Sequence, residues 1–220
     1  QLIQATLDNA KVLRIVMNTK NNKDTDALTN EISQDCLGLT QKTKGLFSCK
    51  SKPVGMFPNS LFFRVGIAGM YFPYTGQATY EPYLEQIGLP FTIAHEWFHS
   101  AGVAPESEAN FLAYLVCNSS ENVAIKYSAQ MNLLIELLIY YNYFDKDKFQ
   151  FYRAQFSPEM ESDLKTRNEL HQKYSNPLSR RSDLIIDQYL QLQNQNGISD
   201  YHQLAEWVVA WQDKPMRKIQ

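Results

Sequence analysis

Helical periodicity dominates this chain. The expected architecture is mainly α (α+β): a helical domain with one small, irregular β element packed beside a motif-bearing helix. Three observations lead there. Apolar residues recur at helical spacing through most of the sequence, as in Leu28, Ile32, Cys36 and Leu39. Over residues 47–80 that periodicity gives way to short apolar or aromatic runs cut by Pro53, Gly55, Pro58, Gly66, Gly69, Pro73 and Gly76, the texture of short strands and turns. Finally, His95-Glu96-Trp97-Phe98-His99 sets two imidazoles one helical turn apart on one face of a helix that Pro90 opens and Gly102 closes.

The chain has 220 residues, enough for a sizeable core, and is expected to form a single domain over 1–220. Within it, 1–45 reads as a helical N-terminal scaffold, 46–145 as the β element and active-site helices, and 146–220 as a helical C-terminal part. The net charge of −2 gives no reason to expect nucleic acid or acidic lipid as a partner. There is no signal peptide and no uninterrupted apolar stretch of membrane-spanning length. The nearest, 131–141, is broken by Asn132 and Glu136. The first residue is Gln rather than Met, which suits a processed product or a piece of a longer protein. Cys36, Cys49 and Cys117 are too few for a disulfide framework. Cys36 and Cys49 can pair in an oxidising compartment; free thiols are the expectation otherwise.

In chain order, residues 1–19 carry an apolar helical stripe through Leu2, Ile3, Leu7, Val12, Leu13, Ile15 and Val16, and 26–44 form a second helix with Gly45 beyond it. Neither carries recognisable chemistry. In the β region, residues 70–72 or 77–80 can supply an edge strand beside the motif helix, suited to pairing with an extended peptide. Covering loops are the alternative. Pro105 then starts the next helix. Residues 124–144 are strongly apolar and are expected to form the core. Glu136 within them is either a buried acid or an exposed edge residue. Helices over 146–156, 157–174 and 176–195 follow, and Ser199 starts a last one at 200–211. His171 and His202 have no ligand spacing around them and read as surface histidines.

The histidine pair is the chemistry-bearing feature. Two neutral imidazoles at i and i+4 can hold Zn²⁺, and Glu96 beside them can take a proton from an activated water. The plain alternative is an amphipathic helix with two satisfied histidines. A catalytic zinc needs a third ligand, and Glu106 and Glu108 both follow at the right remove. They cannot both face it, because two residues along a helix are about 200° apart around the axis. The Glu106 face continues through Ala109, Asn110, Ala113 and Cys117, small or polar residues that allow close helix approach. The Glu108 face continues through Phe111, Leu112 and Leu115, which should pack elsewhere. Glu106 is therefore preferred, with Asn110 one turn on as a possible hydrogen-bond support for a ligand histidine. Either acid also suits a helix N-terminus for purely electrostatic reasons.

The strings Met70-Tyr71-Phe72-Pro73-Tyr74-Thr75-Gly76-Gln77-Ala78, Leu89-Pro90-Phe91-Thr92-Ile93-Ala94-His95-Glu96 and Glu106-Ser107-Glu108-Ala109-Asn110-Phe111-Leu112-Ala113-Tyr114-Leu115 resemble the DUF3810 family. Tyr127-Ser128 and Gly197-Ile198-Ser199-Asp200-Tyr201 echo its later positions. The resemblance implies a helical, zincin-like fold and a gluzincin-like zinc peptidase with two His and one Glu as ligands. The chain departs from the family pattern by lacking membrane-spanning helices before the catalytic part, and by carrying Gln77 where the family has Glu. The chain is also similar to secreted bacterial effector metalloproteases, which implies host actin as a substrate class.

The expected function is zinc-dependent endopeptidase activity on a protein substrate, host actin being one possibility. His95, His99 and Glu106 hold Zn²⁺ and Glu96 is the general base, with Tyr127 or Tyr201 as candidate donors to the oxyanion. The expected location is secreted, with translocation into a host cytosol, or else a soluble domain of a membrane-anchored bacterial protease. The rival readings are a zinc-binding interaction module without turnover and a zinc amidohydrolase that is not a peptidase.

Overall fold

Asp24 and Asn122 mark two helix starts as their chemistry requires, each side chain accepting from the freed backbone N–H groups of the first turn. The computed structural model describes residues 1–17, 24–43, 51–58, 64, 66–174 and 203–212. Its helices are α1 (Leu2–Met17), α2 (Thr25–Lys42), α3 (Leu89–Ser100), α4 (Glu106–Ser119), α5 (Val123–Phe144), α6 (Lys146–Arg153), α7 (Pro158–Tyr174) and α8 (Leu204–Gln212). The strands are β1 (Val54–Gly55), β2 (Gly69–Phe72) and β3 (Gln77–Tyr80). The mainly helical expectation is met. The helix expected over 176–195, the start of the one expected from 200, and Cys49, Tyr201 and His202 lie outside the described residues.

The long helix α5 is the core. Ile125, Ala129, Met131, Leu133, Leu134 and Leu138 are all buried, and α1, α3, α4, α6 and α8 all pack on it. Helix α1 presents Ile3, Leu7 and Ala10 inward, whereas Val12, Ile15 and Val16 on its other side are exposed. Cys36 and Cys117 are both buried. None of the described helices is long and apolar enough to cross a membrane.

The sheet runs in the order β1-β3-β2, with β1 parallel and β2 antiparallel to β3. The β2–β3 hairpin turns at Gly76, whose φ of 70° lies in the left-handed region open to glycine. Of the two runs proposed as an edge strand, β3 is the centre of the sheet and β2 is an edge. The Glu81 N–H donates to the Ala68 carbonyl, so by antiparallel alternation Ala68, Met70 and Phe72 bond to β3, while Gly69 and Tyr71 turn their peptide groups to the other side. Tyr80 is buried at the end of β3, its hydroxyl 2.8 Å from Thr29 Oγ1 on α2. Strands β2 and β3 both lie against α3.

The N-terminus of α3 is fixed by residues from other helices. Its cap position, Gly88, has no side chain to offer. Instead Ser128 Oγ on α5 donates to the Ile87 carbonyl (2.6 Å) and accepts from the Phe91 N–H (3.2 Å), and Asn132 Nδ2 donates to the same carbonyl (2.8 Å). A Cβ at Gly88 would stand 2.7 Å from Glu85 Oε1. Glu85 thus seats its carboxylate against the positive end of the helix, with Arg167 of α7 at 3.5 Å.

Glu136 is half-buried, between the two readings. Its Oε1 accepts from the Ala205 N–H at the start of α8 (2.8 Å). Burial raises its pKa to about 7, with the backbone of α8 working in the opposite direction.

Two predictions follow from these anchors. Ser128→Ala leaves the buried Phe91 N–H without its acceptor and should cost about 1–2 kcal/mol in urea unfolding. For Glu136, the folded-state pKa lies above the unfolded value of 4.5. The unfolded chain therefore releases this proton first, and the group's stabilising contribution is lost as pH rises through about 7. Melting temperatures of wild type and Glu136→Gln measured from pH 5 to 8 should diverge with rising pH, the variant showing the flatter profile.

Candidate metal centre

The site forms where α3 and α4 meet. Helix α3 ends at Ser100, Gly102 takes a φ of 99°, and the chain re-enters helix at Glu106. The opposite flank of α3 is anchored by buried Trp97 and Phe98, leaving His95 and His99 to face α4. Their Nε2 atoms are 2.9 Å apart. Glu106 Oε2 lies 3.1 Å from His95 Nε2 and 3.4 Å from His99 Nε2.

One bond assigns the tautomer of His99. Its Nδ1 is 2.7 Å from the Val103 carbonyl, which can only accept, so Nδ1 carries the proton and the neutral ring presents a lone pair at Nε2. Ligand atoms bound tetrahedrally at about 2.0–2.2 Å from a zinc ion stand about 3.3–3.5 Å from one another. Of the observed spacings, 3.4 Å matches that geometry, while 2.9 and 3.1 Å are shorter, so the three atoms are close enough to share one ion once they spread slightly. His95, His99 and Glu106 are also the group that can hold a metal ion among the described residues. Acceptor atoms converging on one buried point repel one another unless a cation or proton lies between them, and Glu106 Oε2 has no hydrogen-bond partner.

A proton on the histidines can stand in the cation's place. Burial opposes ionisation of Glu106, but the two histidine rings at 3.1 and 3.4 Å outweigh it and hold the carboxyl well below the usual range. Burial likewise opposes charge on His99, yet Glu106 lifts that ring to about 9. Glu96 is almost fully buried and its Oε2 has no hydrogen-bond partner. Burial pushes its pKa up to about 7, with the two histidines pulling the other way. A carboxyl poised there can accept a proton and give it back near neutral pH.

Of the two candidate acids, Glu106 faces the histidines and is buried, whereas Glu108 is exposed. The neighbouring Phe111 packs against Trp207 and Trp211 of α8, as the apolar face suggested. Two expectations need correcting. The support for a ligand histidine is the backbone carbonyl of Val103, in the place proposed for Asn110, because the Gly102 turn folds that carbonyl back over His99. Tyr127 is not placed as an oxyanion donor: its hydroxyl donates to Asp163 Oδ2 at 2.8 Å, and Arg14 clamps the same carboxylate. That cluster ties α1, α5 and α7 together. Burial and the Asp163 charge push the Tyr127 hydroxyl far above its ordinary pKa.

The chain belongs to the DUF3810 family, described as a protein of unknown function, whose model matches residues 1–209. No curated protein and no solved structure matches it.

The third ligand can be checked by metal analysis. After dialysis against limiting zinc, Glu106→Ala should lose most of the bound metal, while Glu108→Ala should retain a wild-type ratio.

Proposed function

We propose that this protein is a zinc-dependent endopeptidase. The observation that carries the reading is the convergence of His95, His99 and Glu106 on one point, with the buried acid Glu96 on the same helix between the two histidines. Zinc held there would supply a Lewis acid that polarises the scissile carbonyl and acidifies a water. The Glu96 carboxylate would accept the attacking water's proton as the water oxygen adds to the carbonyl carbon. The same carboxyl would return the proton to the amide nitrogen as the C–N bond breaks, giving an amine and a carboxylic acid that ionises to solvent. His99, held through Val103, and Glu106 keep the site oriented.

Two features favour peptide hydrolysis over the rival readings. A zinc-binding interaction module has no use for a buried carboxyl with an unpartnered oxygen beside the ligands. Strand β2 lies against α3 as an edge of the sheet, and an extended polypeptide can pair with such an edge, whereas a small amide substrate has no backbone to pair. The narrower proposal is a secreted effector of the RavK type, translocated into a host cytosol and acting on actin. The alternative location is the catalytic part of a membrane-anchored bacterial protease.

The test is to incubate wild type and Glu96→Gln with host-cell lysate, bacterial lysate and purified actin, and to compare new protein termini by mass spectrometry. Wild type should generate termini that a zinc chelator abolishes. Glu96→Gln should bind zinc equally and cleave at least about a hundredfold more slowly. Equal cleavage by both would remove Glu96 as the base.

A further inference from the structure

Glu96 has a neighbour that the motif does not contain. Gly69, the first residue of β2, lies directly against its side chain: a Cβ built there would stand 2.5 Å from Oε1, 2.6 Å from Cγ and 2.8 Å from Cδ of Glu96. Real Cβ atoms essentially never approach another heavy atom this closely. A left-handed backbone does not explain this glycine, since the positive-φ glycines are Gly66, Gly76 and Gly102. What the position requires is the absence of a side chain.

Neither partner has room to withdraw. Gly69 is paired with Tyr80 across the hairpin, and Tyr80 is buried with its hydroxyl at Thr29. The adjoining Ala68 carbonyl accepts from the Glu81 N–H at 2.8 Å. Glu96 sits in a helix whose next two residues, Trp97 and Phe98, are buried on its other flank. The clash involves Cγ as well as the carboxylate, so rotating the terminal carboxylate alone would not relieve it.

We propose that Gly69 is a positioning residue for Glu96: its bare backbone is the wall that sets the rotamer of the base and thus where the carboxylate meets the attacking water. The catalytic meaning of this wall rests on the peptidase reading; the contact itself does not. Displacing a reacting group by about 1 Å costs roughly a hundredfold in rate.

The experiment combines two readouts. On a labelled peptide spanning the bond cleaved in the lysate comparison, Gly69→Ala should lower kcat about a hundredfold, leave KM within about threefold, and retain full zinc occupancy. Thermal stability is then measured for Gly69→Ala, Glu96→Ala and the double variant. Gly69→Ala should lower the melting temperature in the wild-type background and have little effect once Glu96 is truncated. If Gly69→Ala fails to fold alone, recovery of folding in the double variant supports the contact, and failure of both overturns it. An equal stability loss in both backgrounds, or an unchanged kcat, also overturns the proposal. If wild type cleaves nothing while the stability coupling is present, the wall stands and its catalytic role falls with the peptidase reading.

Discussion

The angle at which α4 leaves α3 decides whether Glu106 meets the histidines, and the hydrogen bond from His99 Nδ1 to the Val103 carbonyl holds that corner. It does two things together. It fixes the protonated nitrogen of the ring, leaving Nε2 to face inward, and it fastens the chain just past Gly102 so that the next helix begins with its acid above the pair. Burying three acceptors around a single point is costly in a low-dielectric interior. An arrangement of this kind persists where the surrounding structure holds it rigidly and a cation can occupy it.

That rigidity is built from distant parts of the chain. Helix α5 reaches the N-terminus of α3 through Ser128 and Asn132, and buried Trp97 and Phe98 secure the middle of α3. The sheet closes the remaining side, with β2 held by β3 and β3 fastened to α2 through Tyr80 and Thr29. The helix carrying the histidines is therefore braced at its start, along its length and at its C-terminal corner.

What was legible in the sequence was what periodicity and local chemistry encode. Pro105 and Gly102 mark helix ends through their own backbone preferences, and the structure places the boundaries close to them. The choice of Glu106 over Glu108 was readable because small and apolar residues sort onto different faces of one helix. Tyr127 was not readable: its partner Asp163 lies 36 residues away on a helix whose packing no local pattern announces. Ser128 was hidden for the same reason, since a hydroxyl capping another helix looks like any serine in mid-helix. Glu136 stood out as an acid in an apolar run, but the N–H groups that receive it belong to α8. The Val103 carbonyl leaves no mark at all, because every residue has one.

This last point bears on how such a site can vary among related chains. The corner is recorded in the number of residues between His99 and Glu106 and in the glycine that lets the chain reverse, not in the identity of the residue that accepts the bond. Any apolar side chain that fills the buried space at position 103 would leave the accepting oxygen where it is. One residue more or fewer in the turn would carry it away and swing the acid off the pair. Divergence around the site should therefore be tolerant of substitution in the connecting turn and intolerant of insertion or deletion there.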